Sequence, residues 1–327
     1  MSNLAKKITK RTGRAFGVSE IRDDLALLSD RVDILMRDGF KKNEIEDYLF
    51  GLNNELKIKI EAIERKNENV EKYGLFCYYN ELAKNIHPLL FEKYRGINKG
   101  KSVVLVACGP SLDDYIVNKK MYHVGVNRAF LKKGLELDAL FMHDKMMLDL
   151  HKEELAQLKA DKFVAFATNR YNSENFNLST KEVDEISGRR FVISDPGVPR
   201  INGGVFDVIN PDICNGALMD RGGGTVFSAL QFVLFTEPSQ IYLVGCDCES
   251  SGYFKEAKHI TQKNYLNEIN ELWLEAASFM RQYYPNLEVF SINPVRLEGV
   301  FNDLYTKSFL EKHPEKKVSK TQIWSGN

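Results

Sequence analysis

Residues 103–112 read VVLVACGPSL, an apolar run that ends abruptly in glycine, proline and serine. Consecutive valine and leucine residues bounded by turn residues are typical of a strand that is buried on both faces, as in a parallel sheet. Glycine next to proline marks a tight turn, and a serine after it can cap a helix. The stretch therefore predicts a buried strand that leads into a polar turn.

Strands and helices alternate on the C-terminal side of this stretch. Apolar runs predict strands near 102–107, 122–127, 138–142, 162–167, 190–194, 240–245 and 287–291. Helices are predicted near 112–119, 129–134, 149–158, 225–235 and 264–284. Such alternation favours an α/β fold, Rossmann-like, with a mainly parallel sheet and helices on both faces.

The chain divides into three predicted regions. Residues 1–98 are predicted to be helical, because apolar residues such as Leu25 and Val32 recur at helical spacing. We favour the interpretation that they form a docking or oligomerisation module. The alternative is a helical lid over a binding site. Residues 99–300 form the predicted α/β domain, and the lysine-containing 301–327 form a C-terminal tail that we expect to be loosely held.

The charge balance argues against one class of partner. The chain has 45 Lys and Arg residues and 45 Asp and Glu residues, so its formal net charge is zero. General nucleic-acid binders carry a basic excess, so we expect no nucleic-acid partner. Basic residues crowd the start of the chain, and they could touch an anionic membrane surface. A solvated terminus is the interpretation that we favour.

The cysteines indicate a reducing compartment. The five cysteines are odd in number and three of them lie in or beside apolar runs. They are predicted to be reduced, buried thiols of a cytoplasmic protein. The Cys246-x-Cys248 spacing lacks the second pair of a zinc site, so no metal is expected there. No apolar run reaches the roughly 18 residues of a membrane-spanning helix, and no signal peptide is recognised.

Polar residues follow the first three predicted strands, where ligands bind in an open parallel sheet. After the first strand, Gly109 allows close backbone approach, and Ser111 can cap a helix whose amide groups favour phosphate. After the second strand, Asn127 can recognise a base or sugar edge or cap a helix. After the third strand, Asp144 can accept a hydrogen bond from a ribose hydroxyl, hold a metal ion, or be a solvated carboxylate in a loop.

A glycine-rich turn precedes the helix predicted at 225–235. Arg221 stands before Gly223 and Gly224, and Thr225 follows them. Glycines before a helix give an anion close access to its positive end, so we favour anion or substrate binding over a simple hinge.

The strand predicted at 240–245 is followed by another polar cluster. Asp247 and Glu249 form an acidic pair of the kind that can hold a divalent metal, although the chain has many other carboxylates. His259 lies in a polar loop after Tyr253. It could act as a general base near neutral pH or be an ordinary surface histidine.

The order of these motifs resembles that of the CMP-sialic-acid-dependent bacterial sialyltransferases. GPSL follows the first strand and asparagine the second; a Gly/Thr turn, IYLVGCD, a tyrosine, a loop histidine, a long helix and SINP come later. A broader related group contains motility accessory factors and archaeal 6-hydroxymethylpterin diphosphokinases. The resemblance covers about residues 101–297, and it implies that 99–300 is a catalytic domain that binds a nucleotide sugar.

The resemblance implies roles for individual residues. His259 would be the base, Tyr253 would steady the departing phosphate, and Arg221 would position the substrate. Cys108 stands where the family usually has asparagine, and Glu249 lies near its second tyrosine. The residues implied to contact the donor nucleotide are Gly109, Ser111, Asn127, Asp144, Gly223, Gly224, Thr225 and Asp247.

The implied activity is transfer of sialic acid or another nonulosonate from a CMP-activated donor to a bacterial surface glycan, without a metal or cofactor. The protein would be cytoplasmic. Two further possibilities are peripheral contact with the inner membrane and a homo-oligomer formed through the N-terminal helices. One alternative is a phosphotransferase or diphosphokinase that uses ATP and Mg²⁺ held by Asp144 and Asp247. Another is a non-catalytic nucleotide-binding protein.

Overall fold

The computed structural model describes residues 79–143, 145–167, 180–194, 211–219, 224–248, 252–257 and 263–326. They all belong to one compact unit, Phe76–Asn327. Most of the predicted helical N-terminal region lies outside the described residues, so its roles stay predictions. Its last part, residues 79–91, is helical.

The strands of the described residues form one nine-stranded sheet, and neighbouring strands pair in parallel throughout. The strands are β1 Ser102–Val106, β2 Tyr122–Val126, β3 Ala139–Met142, β4 Asp161–Ala167, β5 Gly188–Ser194, β6 Leu218–Met219, β7 Gln240–Val244, β8 Glu288–Ile292 and β9 Asn302–Leu304. The predicted α/β fold with a mainly parallel sheet is confirmed.

Helices connect and cover these strands. They are α1 Lys145–Gln157, α2 Thr180–Glu185, α3 Thr225–Phe235, α4 Lys263–Tyr283 and α5 Lys307–Lys312. Two further predicted helices, 112–119 and 129–134, are instead short 3₁₀ turns at Pro110–Asp114 and Asn127–Leu131. An extended residue follows each turn and ends it. Within the described ranges, no helix is both long and apolar enough to cross a membrane.

Helix α3 lies in the core. Its sequence, TVFSALQFVLF, is largely apolar, and every residue of it is buried, as expected for a helix without a solvent face. It packs on β1, β2 and β3. Phe232 contributes to an aromatic cluster, with its ring centroid 5.2 Å from that of Phe141 and 5.9 Å from that of Phe91. This packing positions the start of α3 near the carboxyl ends of the central strands.

The C-terminal segment is held against the sheet. Trp324 is 6% exposed, its Nε1 donates to the Ile116 carbonyl at 3.0 Å, and its ring centroid lies 5.1 Å from that of Tyr242. The expectation of a loosely held tail is therefore wrong for the described residues up to 326. A single tryptophan carries no periodic pattern from which this packing could be predicted.

The strand order places a crevice near the centre of the sheet. The order is β6-β5-β4-β3-β2-β1-β7-β8-β9, so the chain builds outward from β1 in one direction and then returns to its other side with β7. The register pairs Val106 with Gly125 and with Val244, so β1, β2 and β7 end at nearly the same level. A reversal of this kind opens a binding crevice beyond the carboxyl ends of the central strands.

Candidate functional site

A cleft lies at this switch point, beyond the ends of β1, β2 and β7. Its space amounts to about 670 Å³, including the open mouth. The turns after these strands, the start of α3 and one side of α4 line it. The predicted site residues that line it are Gly109, Asn127, Gly224, Thr225, Asp247 and Tyr253.

The other predicted site residues are Ser111, which is described, and four residues that are not. Ser111 adjoins the cleft through a direct contact with Asp247. Arg221, Gly223, Asp144 and His259 lie outside the described residues, so their roles stay predictions.

Ser111 and Asp247 fasten the turn after β1 to the turn after β7. The Asp247 carboxylate is 3% exposed and accepts hydrogen bonds from the Ser111 amide at 2.7 Å and from the Ser111 hydroxyl. Gly109 completes the contact, since its amide donates to the Gly245 carbonyl at 2.8 Å. A Cβ on Gly109 would lie 2.6 Å from an Asp247 carboxylate oxygen. Contact between the turns thus requires glycine here whether or not a ligand approaches.

Asn127 and Thr225 join the end of β2 to the start of α3. Asn127 has a φ of 46°, a left-handed conformation that asparagine tolerates better than most residues. Its amide nitrogen lies 3.2 Å from the Thr225 hydroxyl. Gly224 is the N-cap of α3 and offers no side chain to the first amide groups. Because Gly224 and Thr225 line the cleft, the positive end of the helix is directed to it.

Three buried thiols, Cys108, Cys246 and Cys248, line the same cleft. Cys108 donates from its thiol to the Val126 carbonyl at 3.2 Å. Burial raises the pKa of Cys108 and of Cys248 to about 12, so both are neutral thiols at physiological pH. The four described cysteines are free and buried, as predicted.

Tyr253 lies on a turn that hydrogen bonds hold beside β1. The Phe254 amide donates to the Cys108 carbonyl at 3.0 Å. The Lys255 amide lies 3.3 Å from both carboxylate oxygens of Asp113. These bonds fix the backbone directly after the tyrosine, whose ring lies at the cleft.

Sequence reasoning missed two contributions to this site. Arg128 is 8% exposed, and its guanidinium carbon lies 5.9 Å from the Tyr253 ring centroid. Ile269 and Trp273, on α4, supply an apolar wall. The clue that the sequence offers to Arg128 is a charged residue directly after Asn127, at the end of the predicted second strand. The two α4 residues follow an ordinary helical pattern and gave no clue.

The arrangement combines groups that suit a ligand with a polar ring and an anion. Asn127 offers a donor and an acceptor, the α4 wall offers apolar contact, and the start of α3 favours negative charge. Over the ranges that the structure describes, no group of three or more His, Cys, Asp or Glu residues could hold a metal ion.

No protein-family model and no curated protein matches the chain. It is similar to the solved structure of the sialyltransferase CstII from Campylobacter jejuni in complex with a substrate analogue, cytidine-5'-monophosphate, with a TM-score of 0.33 and 12% identity over 58% of this chain and 78% of that one. It is also similar to CstII in complex with CMP-3FNeuAc, with a TM-score of 0.30 and 13% identity over 58% and 79%. Similarity at this level does not assign the chain to a family.

Proposed function

We propose that the protein is a glycosyltransferase that moves sialic acid or another nonulosonate from a CMP-activated donor to a bacterial surface glycan. The observation that carries the proposal is the cleft at the switch point, where Asn127, Thr225 and Tyr253 come together. The order of motifs in the sequence suggests the donor, since it resembles that of the sialyltransferases. The acceptor rests on that resemblance alone.

The donor would lie across the described part of the cleft. Asn127 would recognise the polar edge of the base or ribose, and Trp273 would contact an apolar face of the ligand. The phosphate would lie near Gly224, at the positive end of α3. Ser111 and Asp247 would act indirectly, because they hold together the two turns that form the floor.

The chemistry would proceed by direct displacement. His259, proposed as the base, would take the proton from an acceptor hydroxyl as its oxygen attacks the anomeric carbon. The bond between that carbon and the phosphate oxygen would break, and CMP would leave with the electron pair. Tyr253 would donate a hydrogen bond to the charge growing on the phosphate. Arg221 would help to hold the two substrates in line.

The ATP-dependent alternative receives less support from the described geometry. It requires Asp247 to bind Mg²⁺ through its carboxylate oxygens. Both of those oxygens already accept hydrogen bonds from Ser111, so Mg²⁺ would have to use the remaining lone pairs of a side chain in a residue that is only 3% exposed.

Nucleotide binding tests the proposal. The melting temperature would be measured with CMP, CDP, UDP, GDP and ATP, each with and without Mg²⁺. CMP should stabilise the protein equally in both conditions, by about 2.7 kcal/mol at a hundredfold excess over Kd. The variant Asn127→Ala should lose most of this gain, whereas Asn302→Ala, a change at an exposed asparagine on β9, should keep it.

Other outcomes of that screen contradict the proposal. Stabilisation by ATP only in the presence of Mg²⁺ would favour a phosphotransferase. If no nucleotide changes the melting temperature, the proposal of a nucleotide-sugar site is contradicted.

A further inference from the structure

Arg128 is a buried cation beside the cleft. Its side chain follows Asn127 directly and the residue is 8% exposed. Its Nη1 donates to the Ala257 carbonyl at 3.0 Å, and its Nε is buried with no hydrogen-bond partner in the described part of the chain. A guanidinium stays protonated in proteins, so this residue carries a permanent charge.

No described carboxylate forms an ion pair with Arg128. Asp247, the described carboxylate that lines the cleft, accepts hydrogen bonds from Ser111 and is not in an ion pair with Arg128. A buried charge without a partner is unfavourable, and buried charges are normally paired. An anionic ligand in the neighbouring cleft would supply the missing negative charge.

The position of Arg128 connects it to Tyr253. Its guanidinium carbon is 5.9 Å from the centroid of the tyrosine ring, within the range of a cation–π contact. Its hydrogen bond to Ala257 reaches the far end of the same turn. Arg128 therefore touches this turn at two points, and one of the two belongs to the cleft lining.

We propose that Arg128 is a positioning residue that gives the cleft its preference for a phosphate-bearing ligand. It holds the turn that carries Tyr253, and its charge attracts the phosphate of the donor. The charge acts together with the positive end of α3, which faces the same cleft. The inference rests on the proposed function for the identity of the ligand, since it assigns to Arg128 the phosphate of a cytidine nucleotide.

A pair of ligands that differ only in the phosphate separates charge from packing. CMP and cytidine would be titrated by calorimetry into the wild type and into Arg128→Met, which keeps the aliphatic stem but removes the charge. CMP should bind about tenfold more weakly to the variant, as expected for one lost interaction with a charged group. Cytidine binding should stay unchanged. Higher salt should weaken CMP binding more in the wild type than in the variant.

The matched control is Arg281→Met. Arg281 also donates to a backbone carbonyl, that of Val300 at 2.6 Å, but it is exposed and does not line the cleft. The control should bind both ligands as the wild type does. Should Arg128→Met fail to fold, Arg128→Gln carries the same expectation, since its amide can still donate to the Ala257 carbonyl.

Two results would overturn the assignment of phosphate preference to Arg128. Equal weakening of CMP and cytidine binding would mean that Arg128 only supports the turn. Unchanged binding of CMP would mean that its charge is neutralised by some other group. If the wild type binds neither CMP nor cytidine, the proposed function is contradicted, and the anion preference of the cleft is tested separately. Inorganic phosphate and pyrophosphate are then the probes. If the wild type binds them and Arg128→Met does not, the anion-binding role of Arg128 is supported. If the wild type does not bind them, that role is contradicted.

Discussion

His87 is a buried histidine that connects three parts of the described fold. It lies in the helical residues 79–91, its Nδ1 is 2.8 Å from the Ile213 carbonyl, and its Nε2 accepts from the Val192 amide at 2.9 Å. The ring can satisfy both contacts only when it is neutral, with the proton on Nδ1. Burial lowers its pKa from 6.5 to about 4, in agreement with this tautomer.

The stability of the protein should therefore fall in mild acid. Between pH 6.5 and about 4 the unfolded chain binds a proton at His87 and the folded chain does not, so folding becomes less favourable as the pH decreases. The loss amounts to roughly 3 kcal/mol over this window. Urea denaturation of the wild type and of His87→Gln at pH 7 and pH 4.5 measures it. The variant should lose less stability than the wild type, and equal losses would contradict the assignment.

The site residues differ in how far sequence could identify them. Asn127 was predicted because ligands bind where parallel strands end, and Tyr253 because the order of motifs resembles that of a known family. Both line the cleft. For Gly109, sequence suggested close approach of a ligand, whereas the neighbour that requires glycine is Asp247. Arg128 could not be assigned, because its role depends on contacts with a turn that lies more than a hundred residues away.

At the scale of elements, the C-terminal segment makes the clearest prediction. Trp324→Ala should lower the free energy of unfolding by about 3–5 kcal/mol, because it removes a large buried ring and the hydrogen bond to Ile116. Chemical denaturation measures the change. Lys320→Ala, at an exposed position of the same segment, should change stability by less than about 0.5 kcal/mol. A similarly small effect of Trp324→Ala would contradict this account and indicate that the C-terminal segment is loosely held.

Elements were predictable where a long pattern specified them. The apolar runs VVLV and IYLV match β1 and β7, and the helix predicted at 225–235 is α3. The two-residue β6 and three-residue β9 escaped prediction, because strands so short contain no detectable alternation. The turns after β1 and β2 were mistaken for helices, since a 3₁₀ turn and the first turn of an α-helix share similar residue preferences.

At the scale of the whole molecule, strand order creates the site. Residues from turns more than a hundred positions apart meet because β1 lies between β2 and β7. The sequence predicted a parallel sheet but not this order, since no local pattern states which strands are neighbours. The location of the cleft follows from the order, and its chemistry from the residues that happen to end the central strands.

The most direct test of the account is release of CMP from CMP-sialic acid, which needs no knowledge of the acceptor because water can replace it. The wild type should release CMP with or without Mg²⁺. Tyr253→Phe should slow release by about a hundredfold, as expected for loss of one hydrogen-bond donor to the leaving group. Tyr283→Phe, at a half-exposed position on α4, should leave the rate unchanged. Failure of the wild type to release CMP, or equal rates for Tyr253→Phe and the wild type, would contradict the proposed reaction at this cleft.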